Sequence, residues 1–207
     1  MEGAIARWYT QIRSEDQDLQ DDLRLVSDRL TTQSHVLEVA PGPGYFAIEL
    51  ARLGPWLVTG LDISESFVRI ASDKAKEAGV PVKFQLGNAS DMPFQASTFD
   101  FVVCRAAFKN FTEPIQALCE MHRVLKPAGT ALIIDLRCDA SVEEVRAHID
   151  SLKLSSINRF LTQWTFRWIL LKNAHCSAQI QKMVAQTPFE RCDIRENAIG
   201  MEIWLEK

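Results

Sequence analysis

Apolar and polar positions along this chain follow two alternating periods. HVLEVA (35–40), WLVTGLD (56–62), PVKFQL (81–86), FDFVVCR (99–105) and GTALIIDL (129–136) are short apolar runs with the length and branched content of strands. Between them, 45–53, 64–78 and 114–125 carry apolar residues at helical spacing. The last of these has Leu118, Met121 and Leu125 on one side and Pro127 as its stop. Ser64 is placed to cap the 64–78 helix and Gly79 to end it. Such alternation predicts a parallel sheet covered by helices on both faces. Upstream, 4–13 and 17–30 read as two helices, the second with Leu19, Leu23, Val26 and Leu30 in helical register. After Leu136 the alternation stops. Residues 141–175 read as two or more helices and 177–186 as another. CDIRE (192–196) and AIGMEIWLE (198–206) then predict an antiparallel hairpin at the sheet edge, turning at Asn197.

At 207 residues the chain favours one domain with a sizeable core. Its net charge of −4 gives no electrostatic ground for nucleic-acid binding. No apolar run reaches the roughly 18 residues that span a bilayer. MEGAIARWYTQIR at the start lacks the apolar stretch of a secretory signal. The five cysteines (104, 119, 138, 176 and 192) are odd in number and form no CxxC pair, which argues against disulfides and a zinc site. Cys104 and Cys119 sit in apolar patterns and read as packing residues. The four histidines are scattered without metal-ligand spacing, so no metal is expected. A reducing cytoplasm is the compartment these features predict.

The chemistry concentrates in VLEVAPGPGYFAIELA (36–51). A strand carrying Glu38 runs into a turn with Gly42 and Gly44, and a helix opens at Tyr45. Asp62 stands at the tip of the next strand. A glycine turn lets backbone approach a ligand closely, and an acid at that tip can accept from ribose hydroxyls. The pattern predicts a site for an adenosine-containing cofactor. Gly42, Gly44 and Ala47 satisfy the dinucleotide fingerprint G-x-G-x-x-G/A, so a nicotinamide-dependent oxidoreductase fits. Glu38 inside the strand, GNASDMPF (87–94) after the third strand and the terminal hairpin point away from it. Blander roles stand beside these: Glu38 and Asp62 capping backbone amides, Asn88 and Asp91 forming a turn, Lys109 as a solvated surface lysine.

Taken in order, VLEVAPGPG, LDIS, GNASDMPF, FDFVVCRAAFKNF and EMHRVLKPAGTALIIDL resemble the class I S-adenosylmethionine-dependent methyltransferases. The resemblance is to the small-molecule branch that includes quinone-biosynthesis methyltransferases, and it covers roughly 35–137 and more loosely the terminal hairpin. It implies an α/β Rossmann-like sheet of seven strands in the order 3-2-1-4-5-7-6, with strand 7 antiparallel. The cofactor implied is S-adenosyl-L-methionine, leaving as S-adenosyl-L-homocysteine. Carried over, Glu38, Ala40, Gly42 and Gly44 surround the methionine part and Asp62 takes the ribose hydroxyls. Ile63 flanks the adenine, Asn88 and Ala89 meet its edge, and Cys104 offers its backbone beside the sulfonium. Ala40 departs from the family, which usually has the first glycine of the turn there. Asn88 replaces a frequent aspartate, and Lys109 with Asn110 replaces a frequent histidine pair.

The acceptor side is expected from segments outside the sheet. The whole chain, 1–207, is read as one methyltransferase domain in which 1–30 and the insert 139–175 form a substrate cap. Trp8, Arg105, Trp164 and Trp168 are the candidate pocket residues, and Tyr9 and Lys109 the candidate catalytic ones. Ile157, Phe160, Leu161, Trp164, Trp168 and Leu171 share a helical face that serves equally as lid, core or homodimer interface. The expected activity is methylation of a small hydrophobic or aromatic metabolite on oxygen, nitrogen or carbon. A nicotinamide-dependent oxidoreductase, a non-catalytic S-adenosylmethionine-binding module and a pericyclic use of the same cofactor scaffold are the alternatives.

Overall fold

The computed structural model describes residues 17–151 and 173–207. Within them the chain runs α1 (Gln17–Ser27), β1 (His35–Val39), α2 (Tyr45–Leu53), β2 (Leu57–Asp62), α3 (Glu65–Ala78), β3 (Lys83–Leu86) and β4 (Phe99–Arg105). A 3-10 turn (Phe108–Asn110) leads to α4 (Pro114–Val124), β5 (Leu125–Leu136), α5 (Val142–Ser151), α6 (Ser177–Val184), β6 (Arg191–Glu196) and β7 (Gly200–Glu206). The expected helix 4–13 and most of the insert lie outside the described residues.

The seven strands form one sheet in the order β3-β2-β1-β4-β5-β7-β6. β1 to β5 pair in parallel, and β7 lies antiparallel between β5 and the outermost strand β6. This is the order and the antiparallel strand that the resemblance implies. Consecutive residues of the central strands face opposite layers, as the two-residue period of a strand demands. Leu37, Val102, Cys104 and Ile133 pack with Leu118, Met121, Ile180 and Val184 of α4 and α6. Val36, Phe101, Val103 and Leu132 pack with Leu23, Val26, Phe46 and Leu50 of α1 and α2.

Local signals hold at the helix ends. Ser64 Oγ accepts from the Phe67 N–H at 3.3 Å, and Gly79 sits at φ 68° in the left-handed region. β5 differs from its pattern: it starts at Leu125, directly after α4, rather than at residue 129. Leu125 pairs with Phe99 but Thr130 with Phe101, so a bulge absorbs the residues between them. Pro127 falls in that bulge, where its missing N–H takes no rung from the ladder.

Lys109 departs from the surface reading. Its side chain is buried, and its Nζ donates to Asp135 Oδ1 at 2.7 Å and to the Ala106 carbonyl at 2.7 Å. The Lys109 N–H donates to the other oxygen of Asp135 at 2.9 Å. Asp135 reaches this turn because Ile134 pairs with Arg105 at the end of β4. The pair therefore ties the turn after β4 to β5.

Gly44, at the head of α2, faces the sheet closely. A Cβ there would lie 2.7 Å from Phe84 Cζ and 2.8 Å from Ala71 Cβ, and its φ is 80°. Gly44→Ala is expected to destabilise the fold by roughly 2–3 kcal/mol through overpacking and backbone strain, read as a lower urea midpoint. Lys109→Met, which strands a buried carboxylate, is expected to cost about 3–5 kcal/mol. Adding Asp135→Asn, which keeps an acceptor for the Lys109 N–H, recovers part of that loss. Equal stability of the single and double variants would remove the ion pair from this account.

Candidate cofactor site

The site forms at the carboxyl ends of β1, β2 and β4. Val39 pairs with both Leu61 and Cys104, so Ala40, Asp62 and Arg105 leave the sheet at one level. The chain goes from β1 outward through β2 and β3, then crosses to β4 on the other side of β1. Connections diverge at that reversal and leave a crevice, the usual ligand position in open α/β sheets.

Two buried carboxylates shape the loop over it. Asp62 Oδ2 accepts from the Gly42 N–H at 2.9 Å and Oδ1 from the Ser64 N–H at 2.9 Å. Glu38 Oε2 accepts from the Ala47 N–H, in the first turn of α2, at 3.0 Å. The capping roles weighed for both residues are therefore present. Glu38 is almost fully buried, and burial pushes its carboxyl up to about 7; nearby Arg105 and the Ala47 bond partly counter this. Ala40 takes φ 57°, and its N–H donates to the Leu61 carbonyl at 2.7 Å. The position where relatives usually have glycine thus keeps the left-handed backbone that glycine would supply. Gly42 lies at φ 55°, and a Cβ added there would meet nothing within 4 Å among the described residues. The loop presents open backbone on this side.

Ile63, just past Asp62, is 71% exposed, whereas Leu61 before it is buried. Asn88 Oδ1 accepts from the Ser90 N–H at 3.0 Å, the turn role foreseen for it. Gly87, one residue earlier, donates its N–H to the Asp62 carbonyl at 3.0 Å, which holds the Asn88–Ala89 loop against the tip of β2. Cys104 is fully buried in β4, and burial together with Asp135 pushes its thiol well above the usual range. Its side chain is therefore packing.

Arg105 turns back toward the N-terminal helix. Its Nε donates to Asp22 Oδ2 at 2.7 Å, and its guanidinium lies 5.0 Å from the Phe46 ring centroid. Arg105 is thereby held by a carboxylate of the chain itself. The one found is 83 residues away in sequence, a separation no motif encodes. Trp8, Tyr9, Trp164 and Trp168 lie outside the described residues. The structure thus brings Glu38, Ala40, Gly42, Gly44, Asp62, Ile63, Asn88, Ala89, Cys104 and Arg105 to one edge of the sheet, with Lys109 buried behind.

Comparison with known proteins bears on this edge. Residues 37–133 match the family model described as a methyltransferase domain. A demethylmenaquinone methyltransferase of Deinococcus radiodurans is 36% identical over 107 residues, covering 51% of this chain and 44% of that protein. The uncharacterised methyltransferase YcgJ of Bacillus subtilis is 32% identical over 139 residues, covering 64% and 54%. The chain thus matches about half the length of these curated relatives. Among solved structures, a SAM-dependent methyltransferase from Aquifex aeolicus superimposes with a TM-score of 0.69 at 17% identity, covering 90% of this chain and 89% of that one. The chain therefore has the fold of these methyltransferases, and its residues 37–133 match the methyltransferase domain model.

Proposed function

We propose that the chain binds S-adenosylmethionine at this edge and transfers its methyl group to a small hydrophobic or aromatic metabolite, on oxygen, nitrogen or carbon. The observation that carries the reading is Ile63, an apolar side chain held 71% exposed beside the buried carboxylate of Asp62. A nucleoside asks for that combination, an acceptor for its hydroxyls and an apolar surface for its base. A carboxylate has about four acceptor sites, so backbone bonds to Asp62 are compatible with ribose contacts. Gly42 supports the reading with backbone open to a ligand. Glu38 supports it with a carboxyl near neutrality that an ammonium group would draw into its charged form. Asn88 and Ala89 are assigned to the adenine edge, and Ala40, Gly44 and the Cys104 backbone to the methionine end.

When bound, S-adenosylmethionine supplies a methyl group already activated on a sulfonium. The chain's task is then orientation, which alone can contribute about 7–11 kcal/mol. Lys109 is committed to Asp135, so we assign it the positioning of the turn after β4 rather than proton transfer. Any proton transfer falls to Tyr9 or to the acceptor itself. The Deinococcus radiodurans relative is named for demethylmenaquinone, and an acceptor of that apolar kind suits the aromatic sequence 157–171 within the insert 139–175, proposed here as a cap with 1–30. The reading carries with it a cytoplasmic enzyme acting on a small molecule rather than nucleic acid, with 157–171 available as a dimer face. Among the described residues no helix is long and apolar enough to cross a membrane.

Calorimetric titration with S-adenosylmethionine and S-adenosylhomocysteine tests the site, with NADH as control. Binding of both adenosyl compounds but not NADH is expected. Ile63→Ala should weaken binding about five- to tenfold, on the order of 1 kcal/mol of apolar contact, with an unchanged urea midpoint because Ile63 has no core role. NADH binding alone would overturn the proposal.

Glu38 gives a pH-dependent prediction. Its folded pKa of about 7 lies above the ordinary 4.5, so between these values the folded state holds more protons than the unfolded state. Stability should therefore fall as pH rises from about 4.5 to 7. Glu38→Gln keeps an acceptor for the Ala47 N–H and should remove that fall, as read from urea midpoints across the window. In wild type near pH 7, S-adenosylmethionine binding should also release protons, seen as heats that depend on buffer ionisation enthalpy. That dependence should vanish in Glu38→Gln.

A further inference from the structure

The segment 139–175 leaves the sheet after Cys138 and returns at Cys176. Its ends stand side by side. Arg137 and His175 form a parallel bridge, and the Cys138 N–H donates to the His175 carbonyl at 3.1 Å. Cys138 and Cys176 each stand one residue beyond that bridged pair. Paired residues of parallel strands point to the same side, with neighbouring strands about 4.8 Å apart. Disulfides need Cα separations of roughly 4.4–6.8 Å, which a one-residue continuation of this register gives. Burial, together with the neighbouring Cys176 side chain, raises the Cys138 thiol above its ordinary range.

Surrounding contacts fix this neck. The Arg137 guanidinium lies 3.0 Å from Asp139, 3.7 Å from Glu144 and 3.3 Å from Glu196. Ser177 Oγ donates to Glu196, and the Cys176 N–H donates to Gln179 Oε1 at 2.9 Å. Cys138 is exposed and Cys176 half-buried, within reach of a small solute. Among the described residues no cluster of three or more histidine, cysteine or acidic side chains is able to hold a metal. The chemistry open to these two thiols is with each other.

We propose that Cys138 and Cys176 are a redox pair that a small-molecule disulfide, oxidised glutathione, converts to an intramolecular disulfide across the neck of segment 139–175. The exposed Cys138 thiolate attacks one sulfur of oxidised glutathione; a mixed disulfide forms and one glutathione thiolate leaves with the electron pair. The Cys176 thiolate then attacks the Cys138 sulfur, forms the internal bond and expels a second glutathione thiolate. The two thiol protons pass to the two glutathione molecules, so the protein loses two electrons and oxidised glutathione gains two. The product makes 139–175 a covalently closed loop anchored on β5 and α6. Neither step uses the cofactor edge, so the inference stands apart from the function proposed above.

The test is equilibration of the folded full chain in glutathione buffers of graded redox ratio, followed by alkylation and non-reducing peptide mapping. With alkylation carried out in denaturant after acid quenching, free thiols should fall from five to three, with a Cys138–Cys176 linked peptide appearing at a single midpoint ratio. Cys138→Ser and Cys176→Ser should each stop at a glutathione mixed disulfide on the remaining cysteine. Mixed disulfides at both positions of the wild type without linkage would overturn the proposal, as would linkage that appears only in urea.

Discussion

Two carboxylates on adjacent strands, Glu38 and Asp62, hold the loop that the whole cofactor edge depends on. The segment 40–44 carries only alanine, proline and glycine, so its polar anchors come from other residues. Asp62 binds the middle of the loop through the Gly42 N–H, and Glu38 binds the first turn of the following helix through the Ala47 N–H. Both hold backbone donors that a loop and a helix start leave without partners. The parallel register of β1 with β2 puts the two acids at one edge. A one-residue slip would turn one of them into the opposite layer.

The two acids achieve this at different electrostatic cost. Asp62 stands at the end of its strand with two backbone donors on its two oxygens. Glu38 stands inside β1 with one, and burial outweighs that bond and the pull of Arg105, so its carboxyl titrates near neutrality. A group so poised responds to the charge placed beside it, because an incoming cation changes both its protonation and the free energy of the loop it holds. Arg105 is drawn away by Asp22 of α1. The N-terminal helix therefore sets how much positive charge reaches Glu38, and an element outside the strand–helix alternation takes part in the site.

Much of this was legible in the sequence where the signals are local. The period of apolar residues located the strands, Ser64 and Gly79 marked the limits of α3, and Asp62 at a strand tip pointed to the edge where the loop lies. What stayed hidden depends on pairings between distant parts of the chain. Lys109 in isolation reads as a surface lysine; only the β4–β5 register brings Asp135 to it. The early start of β5 was hidden by Pro127, because a proline ends a helix and breaks a ladder alike until a bulge is seen to absorb it. Cys138 and Cys176 look unrelated because the bridge beside them joins residues 38 positions apart in sequence.

The loop also shows how a residue that breaks the family pattern is retained. Ala40 holds φ 57°, a conformation that costs an L-residue about 1–2 kcal/mol relative to glycine. Pro41 and Pro43 follow within three residues, and each restricts the unfolded chain, which stabilises the fold by roughly 0.4–1 kcal/mol where the native backbone accepts it. Each ring also disfavours the right-handed helical region for the residue before it, and those residues, Ala40 and Gly42, both sit at positive φ. Strain at Ala40 and stiffness at the two prolines are thus of similar size and opposite sign. The loop reaches its shape through a rigid, mildly strained backbone in place of a flexible glycine run, and a rigid loop loses less freedom when a ligand settles against it.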